Sequence, residues 1–224
     1  MKSKVVIIGA GGFGREVLDI FEARNQAGDQ IDILGFIVDA QYGTPGRLVN
    51  GFPILGGMEW LSERPEGTAA ICAIGDPAVR RRMVDAANRS GVPFCNAIHP
   101  SVIATRHVKL GVGVVLAAGS ILTNNIAIDS HVHLNLDCTV GHDARIGACA
   151  TVSPGVHISG GVTLGEGCSV GTGTNIIEKC VVGEWSVVGA GSTIVRDVPA
   201  NSTVVGVPGR VIKQRAAGWH LAPA

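Results

Sequence analysis

An aliphatic residue returns at every sixth position across the second half of this chain, and this repeat constrains the fold more than any other feature. The series begins at Leu110 and ends at Ile194 without a gap. The next residue is often glycine, and the fourth residue after the aliphatic one is often small or β-branched. A period of six fits neither an α-helix nor a coiled coil. The repeated positions are Leu110, Leu116, Leu122, Ile128, Leu134, Val140, Ile146, Val152, Ile158, Leu164, Val170, Ile176, Val182, Val188 and Ile194.

Each six-residue unit predicts one short strand followed by a corner. The aliphatic side chain would point inward, and the glycine would support the turn. Three such units would close one triangular coil, so the repeat predicts about five stacked coils. Residues eighteen positions apart would then lie side by side on neighbouring coils. We therefore expect a parallel β-helix in this half of the chain.

The first half shows strands alternating with helices. Val5–Ile8 predicts a buried strand, Arg15–Ala27 has helical spacing, and two further apolar runs, Ile33–Val38 and Ala69–Ile74, predict strands. A second helix is expected after Asp76. This order is typical of a small parallel sheet that binds a ligand at its strand ends. We assign residues 1–96 to this βαβ domain, 97–213 to the β-helix and 214–224 to a C-terminal tail.

A glycine loop, Gly9-Ala-Gly-Gly-Phe-Gly14, joins the first strand to the first helix. Glycine there lets backbone N–H groups approach a pyrophosphate at the positive end of a helix. It could also serve only to allow a tight turn. Fewer than a hundred residues form about one mononucleotide-binding half, so one nucleotide fits better than NAD. Asp39, after the second strand, could accept hydrogen bonds from the ribose or base, or could simply cap the strand.

Composition excludes several classes of partner. Eighteen Lys and Arg residues balance eighteen Asp and Glu residues, which argues against nucleic-acid or anionic-membrane binding. No apolar run reaches the roughly 20 residues that span a bilayer, and no signal peptide is apparent, so we expect a cytoplasmic protein. The six cysteines form no CxxC pair and are expected to be free, buried thiols. Arg80, Arg81 and Arg82 predict a solvated helix face.

The order of short motifs along the whole chain resembles that of nucleotide-sugar acyltransferases of the sialic-acid, bacillosamine and perosamine type. The resemblance implies a left-handed β-helix and an acetyl-CoA-dependent enzyme that acts on a nucleotide-linked sugar. It also implies a homotrimer with active sites between neighbouring β-helices. The matching stretches are 9–14, 35–39, 51–56, 73–76, 98–101, Asn135 with 141–143, 188–192 and 205–208.

His142 is the predicted general base. It follows a corner glycine and should project outward, and imidazole accepts a proton near neutral pH. Asp143 could orient the ring and stabilise its protonated form. Gly160 lies eighteen residues beyond His142, where the missing side chain would leave room for the thioester and the N–H could hold an oxyanion. The resemblance supports all three roles.

The remaining predicted site residues divide into two groups. For substrate binding they are Gly11, Gly12, Phe13, Asp39, Gly75 and Asn135. For acetyl-CoA binding they are Thr151, Gly160, Thr172 and Ala190, of which the last two are eighteen residues apart. Phe13 and Thr151 stand where relatives often carry histidine, and Pro208-Gly-Arg210 stands where Pro-Ala-Lys is usual.

We interpret the chain as an N-acetyltransferase for a nucleotide-linked amino-deoxysugar, and O-acetylation of a sugar hydroxyl is the alternative. Two other classes stay open. A zinc hydratase like the γ-type carbonic anhydrases could use His131, His133 and His142, although we expect no metal. A non-catalytic nucleotide sensor would not need His142. The six other histidines are expected to have no catalytic role, and they are His99, His107, His131, His133, His157 and His220.

Overall fold

The computed structural model describes residues 3–221, so the end of the predicted tail, residues 222–224, lies outside the described residues. The amino-terminal unit is an α/β domain with a five-stranded sheet. Its elements are β1 (Ser3–Ile8), α1 (Gly12–Gln26), β2 (Ile31–Ile37), β3 (Leu48–Val49), β4 (Phe52–Gly56), a 3₁₀ turn (Met58–Ser62), β5 (Thr68–Cys72) and α2 (Pro77–Asn88).

Strand β1 lies at the centre of the sheet, whose order is β3-β4-β2-β1-β5. It runs parallel to β2 and β5, and only the short edge strand β3 is antiparallel to its neighbour. Alternate side chains of β1 face opposite sides: Val5 and Ile7 pack with α1, whereas Val6 and Ile8 pack with α2. Within residues 3–221, no helix is long and apolar enough to cross a bilayer.

The hairpin formed by β3 and β4 was not predicted from the sequence. Pro53 interrupts the apolar run of β4, and proline lowers the expectation of a strand because it donates no backbone hydrogen bond. The structure accommodates it beside β3, an edge strand of two residues, where few ladder bonds are needed. The other predicted strands and helices are present, with ends displaced by one to three residues.

The second unit is a parallel β-helix with three faces, numbered here in chain order. Face 1 carries β6 (Ala97–Ile98), β9 (Val115–Leu116), β12 (His133–Leu134), β15 (Thr151–Val152), β18 (Ser169–Val170), β21 (Val187–Val188), β23 (Ser202–Val205) and β24 (Arg210–Gln214). Face 2 carries β7 (Ile103–Ala104), β10 (Ile121–Leu122), β13 (Thr139–Val140), β16 (His157–Ile158), β19 (Asn175–Ile176) and β22 (Thr193–Ile194). Face 3 carries β8 (Lys109–Leu110), β11 (Ala127–Ile128), β14 (Arg145–Ile146), β17 (Thr163–Leu164) and β20 (Val181–Val182).

Residues eighteen positions apart are paired on neighbouring coils, as the repeat predicts. On face 2, Ile121 pairs with Thr139, and Thr139 pairs with His157. The six strands of face 2 show one coil more than the fifteen-position repeat indicates. The extra coil precedes Leu110, and its exposed Ala104 gives too weak an aliphatic signal to extend the repeat.

Aliphatic side chains fill the interior of the β-helix, and almost all the predicted inward positions are buried there. Cys138, Cys168 and Cys180 fill corners of the same core. All six cysteines are free, and five of them are buried, which agrees with the expected free thiols. At the carboxyl end, β23 and β24 form an antiparallel hairpin that continues face 1.

The two units meet where α2 packs against face 1, and here the sequence-based expectation for the arginine cluster is wrong. Arg80 is fully buried and not solvated. Its guanidinium contacts the ring of His133 and the backbone carbonyls of Cys149 and Ala150 in the β-helix. Arg81 stays partly exposed and forms an ion pair with Glu166 across the same junction. A polar helix face can therefore be buried when a second domain supplies hydrogen-bond acceptors.

The buried His131 at this junction predicts a loss of stability in mild acid. Burial lowers the pKa of His131 to about 4, and the charges of Arg80 and Arg81 add to the shift. The unfolded chain takes up this proton near pH 6.5, so stability is full above that pH and falls as the pH drops towards 4. From pH 7.5 to 5.0 the loss from this group is about 2 kcal/mol.

Urea unfolding at the two pH values measures this effect. The His131→Asn variant, whose side chain tolerates a positive φ, should lose less stability over the same pH change. The exposed His107 provides the matched control, since His107→Asn should keep the wild-type pH dependence. An unchanged pH dependence in His131→Asn contradicts the assignment.

Candidate active site

The larger of two adjoining cavities, about 850 Å³, opens at the carboxyl ends of β1, β2 and β5. It lies where strand order changes direction around β1, which is the place where open α/β sheets bind ligands. Five of the six predicted substrate-binding residues line it, namely Gly11, Gly12, Phe13, Asp39 and Gly75. The structure therefore brings most of these predicted residues together in one cavity.

The glycines of the loop divide between two roles. A Cβ atom on Gly14 would collide with the carbonyl group of Gly9, so α1 can pack against β1 only with glycine there. Gly9 itself has a φ of 104°, which favours glycine. Gly11 and Gly12, in contrast, face open space in the cavity. The turn therefore requires glycine at positions 9 and 14, whereas Gly11 and Gly12 leave space in the cavity.

Positive charge surrounds the larger cavity. Helix α1 begins at Gly12 with no side-chain cap, so its free N–H groups and positive dipole end are available. Arg15, Arg47 and Arg82 also line the cavity. Sequence reasoning missed these arginines, because a single arginine carries no pattern and Arg82 was assigned to a solvated face. The arrangement suits a ligand with two neighbouring phosphates.

The smaller cavity, about 550 Å³, lies between the α/β domain and face 1 of the β-helix. Phe13 and Gly75 line both cavities, so the two adjoin at these residues. Asn135, the sixth predicted substrate-binding residue, lies in the wall of the smaller one. Trp185 and Trp219 form part of the same wall.

Thr151 also lines the smaller cavity, but its hydroxyl group belongs to the domain junction. It donates a hydrogen bond of 2.7 Å to the carbonyl oxygen of Gly75 and accepts one of 2.9 Å from Arg80. The sequence predicted an acetyl-CoA contact for this residue. In the structure the hydroxyl group bonds within the protein, and the contact of Thr151 with acetyl-CoA stays a prediction.

His142 and Asp143 lie on another edge of the β-helix, between faces 2 and 3. Nδ1 of His142 lies 2.8 Å from the carboxylate of Asp143. An ionised carboxylate only accepts hydrogen bonds, so Nδ1 carries the proton and Nε2 is left free to accept another. The bond from His142, with a second from Asn125, lowers the pKa of Asp143 below its usual value. The pair is therefore arranged as an oriented base.

Gly160 lies directly beside this imidazole, as the eighteen-residue spacing predicts. A Cβ atom on Gly160 would lie 2.6 Å from Nε2 of His142 and 2.7 Å from Cε1. Only glycine leaves the reactive nitrogen uncovered at this place. Within the described part of the chain, the N–H of Gly160 forms no hydrogen bond and is available to a ligand.

Thr172 and Ala190 are exposed neighbours on the edge between faces 1 and 2. That edge is not the one that carries His142, and His142 lines neither cavity. Within one chain, the predicted catalytic residues, the predicted coenzyme column and the cavities therefore lie at separate places. His131 and His133 are buried at the domain junction. No group of three His, Cys, Asp or Glu side chains able to hold a metal occurs among residues 3–221.

Comparison with known proteins identifies the amino-terminal unit and the fold of nearly the whole chain. The sequence profile of the PglD N-terminal domain matches residues 4–87. The fold is similar to perosamine N-acetyltransferase from Caulobacter crescentus, solved with CoA and GDP-perosamine, at 32% identity and a TM-score of 0.86. The likeness covers 94% of this chain and 97% of that protein. The chain belongs to the family of nucleotide-sugar acetyltransferases.

Two further family members support this assignment. The acetyltransferase domain of PglB from Neisseria gonorrhoeae, solved with acetyl coenzyme A, is 31% identical with a TM-score of 0.86, over 95% of this chain and all of that domain. GDP-perosamine N-acetyltransferase of Escherichia coli O157:H7 is 27% identical over 143 residues. That match covers 60% of this chain and 63% of the relative's length, which is less than two thirds. Family membership also confirms the predicted fold class, an α/β domain followed by a left-handed β-helix.

Replacement of Gly160 by alanine should displace the imidazole of His142. The added methyl group would overlap Nε2, so the ring must rotate and its bond to Asp143 should break. The φ of Gly160 lies outside the left-handed region, so the fold should tolerate alanine. A crystal structure of Gly160→Ala measures the result. A ring that keeps its 2.8 Å bond to Asp143 would show that Gly160 does not limit its position.

Proposed function

We propose that this chain transfers the acetyl group of acetyl-CoA to the amino group of a nucleotide-linked amino-deoxysugar. The observation that carries the proposal is the likeness over nearly the whole chain to an enzyme solved with both CoA and GDP-perosamine. The cavity at the sheet ends supplies a place for the nucleotide. The His142–Asp143 pair beside Gly160 supplies the chemistry of acyl transfer.

The larger cavity would hold the nucleoside diphosphate. The N-terminus of α1 and three arginines can balance the charge of the diphosphate, and Asp39 can bond the ribose or base. The sugar would then extend past Phe13 and Gly75, where the two cavities adjoin. Asn135 is placed to contact it from the β-helix.

The reaction requires a base and a stabilised oxyanion. The sugar nitrogen attacks the thioester carbonyl carbon, and a C–N bond forms while negative charge develops on the oxygen. The N–H of Gly160 donates a hydrogen bond to that oxygen. Nε2 of His142 takes the proton from the nitrogen, and Asp143 stabilises the charged ring. The C–S bond then breaks, and the proton passes to the leaving thiolate of CoA.

A second copy of the chain would complete the site, and we take the assembly to be a trimer. Within one chain, the His142 edge does not reach either cavity. Face 2 and the same edge expose apolar side chains, with Ile103 62%, Ile121 40% and Ile177 39% accessible. Such a surface is suited to burial against another subunit. The column of Thr172 and Ala190 would then be free to contact the pantetheine arm of acetyl-CoA.

An amino group is the better acceptor, because an amine is more nucleophilic than a hydroxyl group at neutral pH. The acetylated sugar nucleotide would serve in building a polysaccharide or another glycan. We place the enzyme in the cytoplasm, where its six free cysteines would stay reduced.

Substitution of His142 by alanine should lower turnover by about 100-fold or more, because loss of a general base removes that much of the acceleration. The affinity for nucleoside diphosphate should persist, since His142 lines neither cavity, and most of the affinity for CoA should persist because the pantetheine arm is assigned to the separate column of Thr172 and Ala190. Thiol release measures turnover, and calorimetry measures both affinities. The control is His107→Ala, an exposed histidine on the first coil, which should keep full turnover. Equal turnover in the two variants removes His142 from the mechanism.

Replacement of Arg82 by methionine should weaken the binding of a nucleoside diphosphate by about 10-fold or more, because a charge-assisted hydrogen bond is lost. Isothermal titration with GDP, UDP and dTDP measures the change. Arg89 lies on the same helical segment but does not line the cavity, so Arg89→Met is the control. Equal affinity in both variants would exclude Arg82 from the diphosphate site.

The direct test of the proposed function is thiol release from acetyl-CoA with a panel of nucleotide-linked amino and hydroxy sugars, with mass detection of the product. A gain of one acetyl group on an amino sugar, absent from its hydroxy analogue, is the expected result. Acetylation of a sugar without an amine would support O-acetylation. No product with any sugar, with nucleotide binding retained, would favour a nucleotide sensor.

A further inference from the structure

A fully buried arginine lies between the two domains, and the proposed chemistry does not use it. One nitrogen of Arg80, Nη1, donates hydrogen bonds to the carbonyl oxygens of Ile74 at 2.7 Å and Gly75 at 3.2 Å. The other, Nη2, donates to the carbonyl oxygens of Cys149 and Ala150. The side chain thus joins the α/β domain to the β-helix through backbone atoms of both.

The side chains around Arg80 form the same connection. Thr151 donates a 2.7 Å hydrogen bond to the carbonyl oxygen of Gly75 while accepting one from Arg80. His133 accepts a hydrogen bond from Nη1 of Arg80 at Nδ1, at 2.9 Å, because a guanidinium can only donate. The ring of Phe13, from the glycine loop, packs 4.8 Å from the His133 ring, centre to centre. The β-helix therefore contacts two of the loops that line the larger cavity.

We infer that Arg80 and Thr151 are positioning residues that hold the Ile74–Gly75 loop in a fixed register against the β-helix. This inference rests on the proposed function, and it assigns to that site two residues that touch no reacting atom. Ile74 and Gly75 line the larger cavity, and Gly75 and Thr151 line the smaller one. A shift of this loop would change where a bound nucleotide places its sugar.

The number of contacts explains why the register should be rigid. The guanidinium is planar and offers its donors in a fixed geometry, so its bonds to carbonyls on two domains restrict rotation as well as distance. The Arg80 side chain is fully buried, so loss of the hydrogen bonds at Nη1 and Nη2 would leave polar groups unpaired there at a cost. Acyl transfer is sensitive to small misplacement of the nucleophile, so a fixed register has a direct effect on rate.

The test compares three substitutions with one matched control. Thr151→Val removes only the hydroxyl group. Arg80→Lys keeps the positive charge but has fewer hydrogen-bond donors, and Arg80→Met removes the charge and all the donors. The control is Arg81→Met, because Arg81 also joins the two domains but pairs with the partly exposed side chain of Glu166. Each variant is assayed as the full-length assembly for kcat, for the KM of the acceptor sugar and for the KM of acetyl-CoA.

If Arg80 and Thr151 are positioning residues, their substitution should change only the kinetics of the acceptor sugar. The ratio kcat/KM for the acceptor should fall about 10-fold in Thr151→Val and about 100-fold in Arg80→Met, with Arg80→Lys in between. The KM for acetyl-CoA and the behaviour of Arg81→Met should match wild type. If the arginine variants fail to fold, Thr151→Val alone decides.

Three outcomes would overturn the inference. Unchanged acceptor kinetics in a folded Thr151→Val would show that the loop needs no such fixing. Equal effects on the KM values of both substrates would indicate a structural role only. A rise confined to the KM of acetyl-CoA would instead support the coenzyme contact that the sequence suggested for Thr151.

Failure of the proposed function can be distinguished from failure of the positioning role. If the wild-type protein acetylates no sugar, the proposed function fails, while the affinities of GDP, UDP and dTDP still test the positioning role. Weaker binding of a nucleoside diphosphate by Thr151→Val and Arg80→Lys, but not by Arg81→Met, supports the fixed loop. Equal affinity in all four proteins contradicts it.

Discussion

The pairing of residues eighteen positions apart is the constraint on which the rest of this structure depends. Because each short strand bonds to the strands one coil before and after it, every side chain has a fixed place on a face or an edge. His142 is beside Gly160 for this reason alone. The same constraint separates the edge that carries His142 from the face that the α/β domain covers. The His142–Asp143 pair and the larger cavity therefore lie at two different places in one chain.

The junction between the domains determines where the larger cavity lies relative to the β-helix. Hydrogen bonds of the buried Arg80 and of Thr151, in addition to apolar packing, hold α2 and the Ile74–Gly75 loop against face 1. Such contacts favour one geometry, because Nη1 and Nη2 of Arg80 find their acceptors only where carbonyl oxygens of both domains converge. Arg80 connects the cavity to the repeat, and the repeat places the base. A neighbouring copy is the remaining element that would bring base and cavity together.

Periodicity and spacing were sufficient to predict most of the fold and the pairing of His142 with Gly160. Both can be predicted from short-range sequence patterns, because the six-residue repeat determines which residues are neighbours on adjacent coils. The burial of Arg80 could not be predicted in the same way, because its acceptors are about seventy residues away, at positions 149 to 151. The hydrogen bonds of Thr151 to Gly75 and Arg80 could not be predicted from the repeat either, because both partners lie in the other domain. Strand β4 was not predicted because Pro53 weakens the pattern expected of a strand. The first coil was not predicted because Ala104 weakens the six-residue repeat.

Mixed assemblies test most directly the claim that each site uses two copies of the chain. Subunits with His142→Ala lack the base, and subunits with Gly12→Asp carry a carboxylate in the cavity where a diphosphate would lie. Co-expressed with different tags and purified as mixed trimers, the two inactive variants should recover about a third of wild-type activity, because in every mixed trimer one of the three sites combines an intact base with an intact cavity. If every site lies within one chain, the mixed assemblies will stay inactive, and the shared site is contradicted.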